Sequence, residues 1–412
     1  MKRKLKLPEL LVPVGDMEKL ISALHFGADA VYLAGKTFGM RASPNNFSEE
    51  ELAEAVHRCH EENIRVYVTC NTIPHNAELC LLPPFLQHCQ NIGVDGLIIA
   101  DLGVLELAKK YAPQVDIHIS TQAGVASYAA ANAFYALGAK RVVLARELSF
   151  AEISEIRQKT PPELEIEAFV HGAMCMSFSG RCLLSFYLTG RDANRGDCAQ
   201  PCRWEYELIE KKRPNERFSI EEESQGQSHG STYILNSKDM CMIEHIPQLI
   251  ASGITSLKIE GRAKSAYYVA CVTAAYRNAM DYVLENPSSP LPKWIVEETE
   301  KISHREYSTG FYLGTEPGQT TENGGYIRHW DVAAICEGRE GPYLKLAQRN
   351  RFFRGDIANV LESGVPPFSV ILEEIFDEYE NPIEVAPHAA MTVFFKTDME
   401  ISKGAYLRIP RK

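Results

Sequence analysis

At ~150 residues per domain, a chain of 412 residues has room for two or three domains. With 45% hydrophobic and 24% charged residues it has the balance of a globular protein, which excludes a disordered chain, a collagen-like fibre and a disulfide miniprotein. Against 54 acidic residues stand 43 basic ones, a formal charge of −11, so any nucleic acid has to be met by a local basic surface.

The basic start, Met1–Lys6, runs straight into the strand-like segment Glu9-Leu10-Leu11-Val12, without the apolar core and cleavage site of a signal peptide. No run of ~18 apolar residues follows, so no membrane span and no membrane partner is expected. These features predict a cytoplasmic protein whose eleven cysteines stay reduced.

From there to about residue 290 one rhythm repeats: a short apolar strand, a polar turn and an amphipathic helix. The predicted strands are Leu10–Val14, Ala30–Leu33, Arg65–Thr69, Gly96–Ala100, Asp116–Ser120, Arg141–Ala145, Ile166–Val170, Tyr233–Leu235 and Ser256–Ile259. Most are continuous runs of Val, Ile, Leu and Ala, as in strands buried on both faces of a parallel sheet. Helices are predicted over Asp16–Phe26, Glu49–Glu62, Gly103–Tyr111 and Gln122–Leu137, the second opened by a Ser48/Glu51 capping box. No Gly-rich dinucleotide fingerprint follows the first strand, and the strands end in polar residues. The reading is therefore α/β, a TIM-type (β/α) barrel, with one of the nine strands lying outside the eight of the barrel.

Residues 175–204 form a cysteine-rich loop, and residues 207–231, with Lys211-Lys212-Arg213 and Glu221-Glu222-Glu223, read as a mobile polar insertion. A long helix over Ala263–Leu284 closes the first domain, 1–290, and a helical linker spans 291–325. From 326 to 412 short strands separated by Gly, Pro and Asp predict a small C-terminal all-β barrel. There Arg349, Arg351 and Arg354 cluster with Phe352 and Phe353, which suits RNA, or else a core with solvated arginines.

The chemistry gathers in Glu167–Trp204, where Cys175, Cys182, Cys198 and Cys202 follow the spacing C-x6-C-x15-C-x3-C. Four such thiols can hold a structural zinc, hold an iron–sulfur cluster, or include one nucleophile activated by His171. Only Cys198-x3-Cys202 resembles a zinc knuckle. Arg181, Arg191, Arg195 and Arg203 surround them, against Asp192 and Asp197, and would stabilise thiolates or receive an anion.

The string Glu167-Ala-Phe-Val-His-Gly-Ala-Met-Cys-Met-Ser-Phe-Ser-Gly-Arg-Cys-Leu-Leu-Ser185 resembles the signature of peptidase family U32, the collagenase-like proteases. Asp197–Trp204, Leu235–Asp239, Leu257–Arg262, Phe38–Ala42 and Ser120–Gln122 look like further blocks of that family. Within it the layout is most similar to the branch that hydroxylates tRNA. That resemblance implies conversion of the wobble uridine in the anticodon loop to 5-hydroxyuridine, with prephenate as small-molecule co-substrate and a [4Fe–4S] cluster on Cys175, Cys182, Cys198 and Cys202. Other branches are implied to act on ribosomal RNA cytidine or the ubiquinone ring, and Cys241 is the spare candidate for a ligand. A collagenase-like peptidase is the alternative, although no H-E-x-x-H helix and no G-x-S-x-G elbow is present. The expected pocket is lined by Arg41, Gln122, His171, Lys238, Glu260 and Arg262, with His171, Glu260 and Arg262 in catalytic roles. Arg41 or Arg262 would grip a carboxylate of the co-substrate, unless Arg262 simply pairs with Glu260. The oligomeric state is left open.

Overall fold

The computed structural model describes residues 7–36, 38–39, 46–209, 211–212, 217–218, 220–224, 227–231, 233, 235–320 and 325–411. Its first sheet is a closed parallel barrel. Strands β1 (Glu9–Pro13), β2 (Ala30–Leu33), β3 (Arg65–Cys70), β4 (Gly96–Ile99), β5 (Asp116–Ile119), β6 (Arg141–Val143) and β7 (Glu165–Ala173) pair in chain order. An antiparallel strand β8 (Asp239–Cys241) comes next in the chain, and then β9 (Ser256–Ile259), which pairs in parallel with both β7 and β1 and so completes eight strands.

Closure follows from composition. Every residue of β1, β2, β4, β6 and β9 is buried, so each of these strands needs cover on two faces. Inward residues Leu11, Ala30, Tyr32, Tyr67 and Ile98 form an apolar cluster inside the barrel. Beneath it, at the strand starts, lies a layer of charge. Arg141 reaches Glu9 at 2.7 Å, Glu167 at 2.9 Å and, through Nε, Glu165 at 2.7 Å. Lys258 pairs with Glu167 at 2.7 Å, and Arg65 also pairs with Glu9. Three carboxylates thus face three cations, a balance a buried site requires.

The eighth predicted strand is corrected here: Tyr233 and Leu235 lie outside any strand, and the addition to the barrel comes four residues later. β8 runs antiparallel to the end of β7, with Cys241 opposite His171 and Asp239 opposite Ala173, and β10 (Tyr307–Ser308) lies parallel on its far side. Within the polar insertion, described residues pair antiparallel, 208–209 with 217–218 and 220–224 with 227–231.

The helices are α1 (Met17–His25), α2 (Glu49–Glu61), α3 (Leu82–Asn91), α4 (Leu102–Tyr111), α5 (Tyr128–Ala136), α6 (Phe150–Gln158), α7 (Leu184–Thr189), α8 (Ile246–Ala251), α9 (Ala266–Glu285) and α10 (Lys293–Glu298). The Ser48/Glu51 capping box forms at the start of α2. α5 begins six residues later than predicted, because Thr121–Ala123 makes a separate 3₁₀ turn and Ser127 caps the helix. Gln122 therefore sits in a strand-end turn rather than on a helix. Among the described residues no helix is long and apolar enough to cross a membrane.

Two compact units divide the chain, and they are not contiguous in sequence. The first holds residues 1–16, 29–263 and 304–326; the second holds 17–28, 264–303 and 327–412. In the second, a seven-stranded antiparallel sheet runs in the order 368–371, 357–361, 406–410, 330–340, 343–348, 392–396, 375–376. Its core includes Leu344, Leu346, Phe352, Val360 and Leu407. The same unit buries Arg408 against Glu298 of α10 at 2.6 and 2.8 Å, with Asn359 at 2.9 Å on its Nε.

Candidate active site at the barrel mouth

The carboxyl ends of the barrel strands converge on a polar mouth, where such folds carry their chemistry. Arg146, after β6, donates to the Ala173 carbonyl at 2.8 Å and lies 3.9 Å over the Phe169 ring. Its other amine is 3.8 Å from Glu260, which also accepts from the Tyr32 hydroxyl at 3.4 Å. Arg262 is buried and donates to Thr69 of β3 at 3.3 Å. Gln122 holds a buried carboxamide whose oxygen and nitrogen both lack a hydrogen-bond partner. Burial raises the Glu147 carboxyl and lowers the Lys258 ammonium, the latter against the pull of Glu167.

Gly172 explains how β7 can carry the mouth. Its φ is +108°, and a Cβ there would stand 2.5 Å from the Glu260 carbonyl oxygen. Only glycine lets β7 and the residue after β9 approach so closely.

The cysteine loop leaves β7 at Met174 and is tied back at several points. Arg203 donates to the Met174 carbonyl at 3.0 Å, and Ser237 donates to the same oxygen at 2.8 Å. Arg195 binds Glu78 at 2.9 Å and the Ile73 carbonyl at 3.1 Å, fixing the loop to the connection after β3. Inside the loop, Ser185 donates to the Arg191 carbonyl at 2.7 Å and accepts from the Ala199 amide at 2.9 Å, and Asn194 donates to the Cys182 carbonyl at 3.1 Å.

Within the tied loop, charge on three of the cysteines acts on the fourth. Burial raises the Cys202 thiol, Arg203 opposes the rise, and charge on Cys175, Cys198 and Cys182 adds to it. Negative charge on any one is thus felt at Cys202. Cys175 and Cys198 are exposed, Cys182 and Cys202 half-buried. Among the described residues no group of three or more Cys, His, Asp or Glu side chains is arranged to hold a metal ion. The remaining cysteines behave otherwise: Cys59 and Cys89 are core residues whose thiols burial pushes up to about 12.

The other predicted pocket residues separate. His171 is buried at the β7–β8 ladder with its ring 5.5 Å from that of Tyr307, which stacks on His304 at 4.3 Å. Lys238 is half-buried and pairs with Glu306 at 3.0 Å. Its neighbours are structural: Asn236 and Asp239 hold the buried guanidinium of Arg305, each at 3.0 Å. Arg41 lies outside the described residues. Sequence reading did not anticipate Tyr32 and Thr69 at the mouth. Each is an ordinary strand residue in one dimension and reaches the mouth only because the barrel closes.

In the C-terminal unit Phe352 is core and Phe353 exposed, while Arg349 pairs with Glu18 and Arg354 with Glu384, both at 2.9 Å. Two charges of the predicted basic patch are thus locally matched.

A closed (β/α)₈ barrel whose seventh strand feeds a four-cysteine loop, followed by an all-β domain, is a specific combination. Residues 15–322 match Peptidase family U32 and residues 328–408 match the Peptidase family U32 C-terminal domain; the chain belongs to this family. It is 37% identical over 408 residues, 98% of this chain and 95% of the relative, to tRNA hydroxylation protein P1 of Bacillus subtilis (strain 168). To tRNA hydroxylation protein P of Escherichia coli (strain K12) it is 34% identical, covering 97% and 96% of the two chains. The 23S rRNA 5-hydroxycytidine C2501 synthase of the same organism is 37% identical over 75% of this chain and 46% of its own.

Proposed function

We propose that this protein hydroxylates tRNA, converting the wobble uridine of an anticodon loop to 5-hydroxyuridine with prephenate as co-substrate. The observation that carries the reading is the electrostatic reach of Cys175, Cys182 and Cys198 to Cys202 in a loop tethered beside the barrel mouth. Full-length likeness to proteins named for tRNA hydroxylation supports the substrate class.

The donor set suits an iron–sulfur cluster. A single zinc draws four sulfurs to ~2.3 Å from one point, whereas a cluster is itself several bonds across and spaces its thiolates more widely. Cys202 and the three thiols whose charges act on it offer the donor set of either group, and the C-x6-C-x15-C-x3-C spacing favours the second. A [4Fe–4S] cluster held by Cys175, Cys182, Cys198 and Cys202 would supply the redox chemistry that pyrimidine hydroxylation needs and that no side chain provides.

The chain's own residues bind and orient. The Gln122 carboxamide offers one donor and one acceptor from a buried position, complementary to the N3–H and carbonyl edge of uracil. Arg262, buried beside Thr69, would face a carboxylate of the co-substrate, with Arg41 as its sequence-predicted companion. Glu260 is oriented by Arg146 and Tyr32. An anticodon loop presents its bases unstacked, so the uridine enters without melting a duplex.

The test is mass spectrometry of tRNA from cells lacking the gene and lacking any oxygen-dependent enzyme of the same specificity. Wobble 5-hydroxyuridine derivatives should vanish and return with the wild-type gene but not with Cys202→Ala. Their persistence, with peptide substrates accumulating instead, overturns the reading in favour of a peptidase.

A further inference from the structure

The cysteine loop carries a second feature that its ligand role leaves unexplained. At α7, between Cys182 and Cys198, the N-cap residue Leu183 and the helical Phe186 and Tyr187 are 68%, 55% and 85% exposed. Their i, i+3, i+4 spacing places them along one helical face. Trp204 and Phe178, flanking the same loop, are 41% and 37% exposed. Single exposed hydrophobic residues need no explanation, but six large ones, with Leu188 at 45%, within 27 positions of one loop are the kind of concentration that marks a binding surface.

The loop itself argues that this face is built to be presented. Ser185, the one fully buried residue of α7, spends its hydroxyl on the Arg191 carbonyl and the Ala199 amide. That pins the helix against the turn that carries Cys198 and Cys202. The aromatic rings therefore cannot swing inward to join the core without breaking both bonds.

The charge pattern selects the occupant. Within residues 175–204 four arginines stand against two aspartates, a local excess of positive charge in a chain of net −11. A polyanion that also bears flat π-faces satisfies both features, and single-stranded RNA is that polymer. A purely apolar protein partner would leave Arg181 and Arg203 unmatched, since Arg191 and Arg195 already pair with Asp197 and Glu78.

We propose that the exposed face of α7, centred on Phe186 and Tyr187 with Arg181 beside it, stacks the unpaired bases next to the target nucleotide and so delivers RNA to the cysteine loop. This rests on the hydroxylase reading and adds to it where the substrate is held. It also moves the main RNA contact from the C-terminal arginines, two of which are already paired, to the barrel unit.

The experiment measures binding of a 17-nucleotide anticodon stem-loop with an unmodified wobble uridine to anaerobically purified full-length protein, by fluorescence anisotropy. Phe186→Ala with Tyr187→Ala should weaken binding at least about tenfold, as expected for losing two stacked rings. Tyr187→Phe should bind within about twofold of wild type, while Tyr187→Leu, which keeps the apolar bulk, should resemble Tyr187→Ala. Iron content and far-UV circular dichroism check that these variants still fold and load. Wild-type affinity in the double variant, or in Tyr187→Leu, overturns the proposal. So does a double variant that binds RNA normally but loses self-association, which assigns the face to a second copy. Failure of the hydroxylase reading shows separately, as wobble hydroxylation that persists without the gene.

Discussion

Gly180 of the cysteine loop lies against Gln122 of the barrel mouth: a Cβ on Gly180 would stand 2.8 Å from the Gln122 carbonyl oxygen. Its φ of +76° is also one that other residues adopt only under strain. The loop therefore rests on the mouth at a point where no larger residue fits. Gly180→Ala should lift the loop locally, at a cost of ~1–3 kcal/mol, without touching the barrel core. The expected result is loss of iron per chain and of hydroxylation, with the main unfolding transition little changed by calorimetry.

The Arg195–Glu78 contact makes the same tethering depend on pH. Hydrogen bonds from Arg195, and then from the His75 amide, push the Glu78 carboxyl down from 4.5 to about 2. A carboxylate depressed in the folded state stabilises above its ordinary value and loses that contribution as pH falls through the depressed one. Both side chains are about a third exposed, so solvent screening limits the gain to ~1 kcal/mol or less. Hydrogen exchange in residues 175–204 should accelerate as pH drops from about 4.5 towards 2, after correction for the intrinsic rate. Glu78→Gln should show the faster exchange already at pH 7 and lose the pH dependence.

The barrel strands were legible because burial on both faces leaves an unbroken apolar run, as in Leu10–Val12 or Leu97–Ile99, repeated between turns and amphipathic helices. Cysteine spacing likewise announced the loop. What stayed hidden is whatever depends on closure. Glu9 and Arg141 are 132 positions apart and read singly as polar residues at strand starts, yet they meet in the barrel floor. The tethers of the cysteine loop are hidden for the same reason, since Arg195 finds Glu78 across 117 positions. Tyr233–Leu235 misled because a short apolar run in one dimension does not say which neighbour is available to pair.

That floor predicts a large stability effect. Arg141 is buried between Glu9, Glu167 and Glu165, and removing it strands the buried Glu9 and Glu167 carboxylates away from water. Arg141→Met should cost ~3–5 kcal/mol in urea unfolding. Arg141→Lys should recover only part of this, because one ammonium cannot reproduce the fork that serves three acceptors.

Cys241 and Cys202 should respond oppositely to removal. Cys241 sits in the β8 ladder opposite His171, while the groups acting electrostatically on Cys202 include Cys175, Cys198 and Cys182. A cluster nucleated at Cys202 draws on its own loop first, so Cys241→Ala should retain ~4 iron per chain after anaerobic purification, whereas Cys202→Ala should lose most of it. Iron analysis and the visible absorption band read both variants directly. If Cys241→Ala is the one that bleaches, the ligand set crosses from the loop to the strand, and β8 becomes part of the redox centre rather than its support.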